Sequence, residues 1–141
     1  MPPLLSNQSA MADIGRVGCL DLRYRRDGPR TILTASRCST PWHFFPPAYL
    51  DDSGCAFTSL VNPSGGFVAG DHLSIHADLE EGAHVVMTTP SANRVYRSLG
   101  EASRQSVTLS VAPGAVIEWF PEVIIPFAGS RFTQTMAVKL G

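Results

Sequence analysis

The chain has 141 residues, of which 44% are hydrophobic, with a formal net charge of -1 and a sequence pI near 6.4; this suits one domain with a packed core and is too little for two. Lys139 is the sole lysine, and a near-neutral balance without clustered Lys and Arg excludes a nucleic-acid or anionic-membrane surface as the main function. No apolar run reaches the roughly 18 residues of a membrane span, and the first residues lack the charged start and apolar run of a secretory signal, so a soluble, cytoplasmic chain is expected.

Residues 1–12 carry Pro2-Pro3 and no periodicity, which predicts a flexible N-terminal tail ahead of one domain over 13–141. Val17 to Tyr24 is strand-like, Asp27-Gly28 is a hairpin signal, and Thr31 to Thr34 resumes the β-branched composition. Arg23, Arg25, Arg26 and Arg30 read as the solvated rim of that hairpin. Pro41, Pro46 and Pro47 break the segment around Trp42 to Phe45, which predicts an edge or a covering loop rather than a central strand. Ala56 to Val61 is the next strand, and it leads into Asn62-Pro-Ser-Gly-Gly-Phe-Val-Ala-Gly-Asp71. Three glycines there demand a tight turn. Gly65 and Gly66 suit positive φ, Gly70 suits a close backbone approach, and Asp71 offers a carboxylate where the next strand begins. The spacing is not GxGxxG and no GK[ST] follows, which excludes a nucleotide-phosphate cradle.

After Asp71 the alternation is clean, with Leu73, Ile75, Ala77 and Leu79 on one face and His72, Ser74, His76 and Asp78 on the other. Glu81-Gly82 turns the chain, and His84 to Thr89 is a strand stopped by Pro90. Ser91 to Ser103 has no two-residue alternation and reads as a loop or one short helix. Arg104 to Ala112 alternates again, Pro113-Gly114 turns, Ala115 to Phe120 follows, and Phe132 to Leu140 is the last strand. A weak echo runs through the second half. Leu73-Ser-Ile, Gly82-Ala83 and Pro90 are matched by Leu109-Ser-Val, Gly114-Ala115 and Pro121; Ser103-Arg104 and Val111 are matched by Ser130-Arg131 and Val138. Repeated strand, turn, strand units predict an all-β fold of layered, solenoid-like β-sheets with at most one short helix. The final strand, with nothing after it, predicts an edge that needs a partner, as in the front part of a longer chain.

Cys19, Cys38 and Cys55 are odd in number and form no CxxC, so reduced structural cysteines are expected. His76 and Asp78 share a strand face at a spacing of about 6.6 Å, which is short enough for a shared metal; the alternative is a solvated polar face. His43 and His84 have no carboxylate at useful spacing and read as structural. Glu118 and Glu122 flank Trp119-Phe120-Pro121. They suit acid and base work on a glycoside, a route for a cation, or simple exposure at a strand end. No nucleophile elbow or Ser, His and Asp set accompanies them.

Taken together, Asn62-Pro63-x-Gly65-Gly66-x-Val68-x-Gly70-Asp71, Gly82-Ala83, Thr88-Thr89-Pro90 with Ala92, Tyr96-Arg97-Ser98, Gln105, Gly114-Ala115 and Glu118-Trp119-x-Pro121 resemble the urease accessory protein UreD (UreH) family, in order and spacing, from about Gly18 to Leu140. Ser64, Ala69, Val95 and Val123 depart from the family's usual residues, and the likeness is to the N-terminal half of family chains. The resemblance implies an all-β scaffold without catalysis or a tightly bound cofactor. It implies a cytoplasmic complex with UreF, with the GTPase UreG through UreF, and with apo-urease, through which nickel passes transiently. Carried over by position, Asp71 is the first candidate for a passage or interface carboxylate, and Glu118 and Glu122 come next; His76 and Asp78 are weaker. The alternatives are a stand-alone β-solenoid binding module or a carboxylate-dependent glycoside hydrolase.

Overall fold

The computed structural model describes residues 15–141, so the tail expected over 1–12 lies outside the described residues. β1 (Val17–Asp27) and β2 (Arg30–Cys38) form an antiparallel hairpin that closes at Gly28, where φ is 58°. β3 (His43–Phe44) pairs antiparallel with β4 (Ala56–Val61) at the edge of a sheet. This is the edge position that the flanking prolines dictate. Trp42, just before it, is buried against the core.

From β4 onward the strands come in threes. β4, β5 (Gly66–Phe67) and β6 (His72–Leu79) are followed by β7 (His84–Thr88), β8 (Asn93–Val95) and β9 (Ser103–Val111). Then come β10 (Val116–Phe120), β11 (Ile124–Pro126) and β12 (Phe132–Leu140). Each strand pairs in parallel with its equivalent in the next triplet. Parallel pairing needs a crossover between partners, and here the other two strands of the triplet supply it. Three sheets result, ordered β12-β9-β6-β1-β2, β10-β7-β4-β3 and β11-β8-β5. Among the described residues there is no helix, so the fold is all-β. The stretch 91–103, expected as a loop or short helix, holds the strand β8.

The register accounts for part of the internal echo. Gly82-Ala83 and Gly114-Ala115 stack, since Ala83 O accepts a hydrogen bond from Val116 N at 2.8 Å and His84 pairs with Val116. Leu73, however, pairs with Gln105 rather than Leu109, and Ser103-Arg104 pairs with Phe132-Thr133, two positions beyond Ser130-Arg131.

In β1, β4, β6, β7 and β9, alternation sends one row of side chains into a shared core. Leu73, Ile75, Ala77 and Leu79 of β6 lie beside Val107 and Leu109 of β9, with Val85 and Met87 of β7 and Ala56 and Leu60 of β4 from the second sheet. Each such large side chain contributes about 1.5–3 kcal/mol by leaving water. Tyr24 of the hairpin is fully buried, and its hydroxyl meets Thr58 Oγ1 at 2.7 Å. Burial pushes the Tyr24 phenol up to about 12 against the opposing pull of that hydrogen bond. β10, β11 and β12 are all edge strands, and Met136, Val138 and Leu140 of β12, which stack on Val107, Leu109 and Val111, stand open to solvent.

Candidate functional site

The glycine turn lies between β4 and β6 and is closed from both sides. Asn62 starts it as an Asx turn: its Oδ1 accepts from Ser64 N at 3.2 Å, its carbonyl accepts from Gly65 N at 3.0 Å, and its Nδ2 donates to Gly66 O at 3.1 Å. Gly65 and Gly70 take the positive φ values, 77° and 79°. Gly66 serves the close approach instead, because a Cβ there would overlap the carbonyl of Arg94 where β5 meets β8. Gly66 therefore lacks the positive φ expected of it, whereas Gly70 has one in addition to the close backbone approach expected there, a Cβ on it standing 3.3 Å from the Cα of Gly15. Both uses require glycine, and a sequence records only the residue type.

Asp71 is fully buried and entirely engaged. Its Oδ1 accepts from Arg16 N at 3.0 Å and Arg16 Nε at 3.2 Å, and its Oδ2 accepts from Arg16 Nη2 at 2.8 Å and Val68 N at 2.9 Å. Arg16 also reaches Ser64 Oγ at 3.2 Å. The carboxylate thus ties the segment entering β1 to the glycine turn, with the two-pronged geometry that suits guanidinium. Its backbone joins the same assembly, as Asp71 O accepts from Arg104 N at 2.7 Å.

A second cluster lies on the outer face of the β10-β7-β4-β3 sheet. Ala56 and Val85 are a register pair and both point inward, so Cys55, the residue leading into β4, and His84, the first of β7, share the outer face. Glu118 on β10 lies two positions past the partner of His84, and its longer side chain reaches back to accept from His84 Nε2 at 3.0 Å. The imidazole and carboxylate side chains remain 34% and 45% exposed. Potential ligand atoms of Cys55, His84 and Glu118 all lie within 4.8 Å of one another, the only such three-residue group among the described residues. Burial, and after it the negative charge of Glu118, push the Cys55 thiol upward. His84 was expected to lack a carboxylate; the carboxylate is 34 residues away in sequence and one strand away in space.

The remaining candidates lie apart. Asp78 is paired with Arg23 at 3.3 Å, and His76 is exposed beside it, opposite Asp21, which is itself paired with Arg37 at 3.2 Å. Glu122 is exposed, and its backbone N–H donates to Thr89 Oγ1 at 2.9 Å. All three cysteines are free.

A sequence model of a protein family, described as UreD urease accessory protein, matches residues 16–141, from the arginine that holds Asp71 to the end of the last triplet. Among curated proteins, the chain is 38% identical over 122 residues to a urease accessory protein UreD of Delftia acidovorans, covering 86% of this chain and 40% of that one. It is 38% identical over 131 residues to the UreD of Methylibium petroleiphilum, covering 88% and 44%. Over 128 residues it is 38% identical to the UreD of Vibrio parahaemolyticus, covering 89% and 45%. The chain thus spans less than half the length of the curated relatives it matches.

Proposed function

Because the chain belongs to the UreD urease accessory protein family, we propose that it is a non-catalytic scaffold in urease maturation that assists the insertion of nickel into apo-urease. The observation that carries this reading is the family match across residues 16–141, which takes in every stacked triplet and both halves of the Arg16–Asp71 clasp. In this reading the partners are UreF, UreG through UreF, and apo-urease, in the cytoplasm, and nickel is cargo rather than a resident cofactor. The carboxylates proposed to face the passage or a partner are Asp71, Glu118 and Glu122. Their settings differ: Glu122 is exposed, Glu118 is partly exposed against His84, and Asp71 meets a cation only if Arg16 withdraws. Among the described residues no helix is long and apolar enough to cross a membrane.

Affinity isolation tests the reading. The tagged chain, co-expressed with UreF and the urease subunits, is expected to retain both. Recovery of neither, from cells where all are soluble, would overturn it.

A further inference from the structure

We propose that Cys55, His84 and Glu118 form a surface site for a borderline divalent cation of the zinc, cobalt or nickel type. The residue leading into β4 and the strands β7 and β10, from three successive triplets, deliver one ligand each, so the site exists only because β4, β7 and β10 are in parallel register. A four-coordinate ion with bonds of about 2.0–2.3 Å holds its ligand atoms roughly 3.3–3.7 Å apart. The ligand atoms already lie within 4.8 Å of one another, and the His84–Glu118 pair is at 3.0 Å. Small side-chain rotations therefore suffice, with no movement of the sheet.

The backbone under the site is fixed. His84 N donates to Thr31 Oγ1 at 2.9 Å, Gly54 O accepts from Thr31 N at 2.8 Å, and Cys55 N donates to Ser53 Oγ at 3.2 Å. Gly54 is packed so tightly against Pro29 that a Cβ there would overlap its carbonyl. A sulfur, nitrogen and oxygen donor set favours borderline ions over magnesium and calcium, which prefer all-oxygen shells. Three protein ligands leave a fourth position for water or an incoming donor, the arrangement of an exchanging site rather than a closed structural one. Binding converts the Cys55 thiol to thiolate and releases its proton.

The site is independent of the urease reading, since its tests need neither urease nor UreF. Cobalt(II) titrated into the purified full chain is expected to give a thiolate-to-cobalt charge-transfer band that saturates at one equivalent. Cys55→Ser should abolish the band. His84→Gln and Glu118→Gln should each weaken binding about tenfold or more, and the Cys19→Ser, Cys38→Ser double variant should leave it unchanged. Magnesium should not compete. A readout that needs no variant is alkylation of wild-type Cys55, mapped by mass spectrometry, which stoichiometric zinc should slow at Cys55 and not at Cys19. Absence of the band with wild-type protein, its survival in Cys55→Ser, or alkylation of Cys55 indifferent to zinc would each overturn the proposal.

Discussion

Arg16 and Asp71 form an ion pair whose two ends are unequally placed, and the inequality sets the cost of breaking it. The Asp71 side chain has no solvent exposure, whereas 32% of Arg16 is exposed. Asp71→Asn leaves a guanidinium that swings into water, and is predicted to cost about 1–3 kcal/mol. Arg16→Gln strands a buried carboxylate on two backbone donors, Arg16 N and Val68 N, and is predicted to cost more, about 3–5 kcal/mol. Denaturant midpoints of the two variants check the order; equal or reversed losses would show that the clasp is not the reason for the aspartate. Tyr24 gives a second test at this scale. Its phenol is neutral in the fold and titrates near 12, against 10 for an ordinary tyrosine. A folded pKa above the unfolded one means that this stability is complete below pH 10 and is lost as pH rises from 10 through 12. The loss is about 1.4 kcal/mol per pH unit, to about 2–3 kcal/mol in all. Thermal melts between pH 9 and 11 should fall more steeply for the wild type than for Tyr24→Phe.

Among the strands, the shortest escaped the sequence, while β1 and β2 were recognised but read shorter than the observed Val17–Asp27 and Arg30–Cys38. β4, β6 and β12 could be read with their observed bounds: β4 and β6 alternate buried with more open residues in a plain period of two, while β12 keeps the apolar alternation in its sequence although the strand is exposed beyond Phe132. β5, β8 and β11 have only two or three residues, too few to carry a period, and the parallel ladder alone defines them. The glycine turn was visible as a turn, but the uses of Gly66 and Gly70 depend on what lies across the ladder. Single alanine substitutions should separate those uses. Gly66→Ala places a Cβ on the Arg94 carbonyl, so β5 or β8 must shift, and a loss of about 2–3 kcal/mol is predicted. Gly65→Ala strains a residue at φ 77° and should cost about 1–2 kcal/mol. Gly100→Ala meets nothing within 4 Å and should stay within about 0.5 kcal/mol of wild type. Unfolding midpoints that do not rank in this order would contradict the ladder assignment.

Across the whole molecule, stacking turns residues far apart in sequence into neighbours. Arg16 meets Asp71 across 55 positions and His84 meets Glu118 across 34, which is why the carboxylates could be named from the sequence while their partners could not. The fold class was legible because it rests on local alternation and turn residues; the cation cluster was not, because it rests on register between triplets. The same stacking leaves Met136, Val138 and Leu140 open along β12, a surface on which another strand or chain can continue the apolar core. The nickel content of urease measures the proposed role of this chain in urease maturation most directly. Urease purified from a host co-expressing its subunits and the other accessory proteins, but no other UreD, should carry more nickel per active site, and more activity, when this chain is present than when it is absent. Equal nickel and activity in the two preparations, with the chain shown to be soluble and folded, would contradict that role.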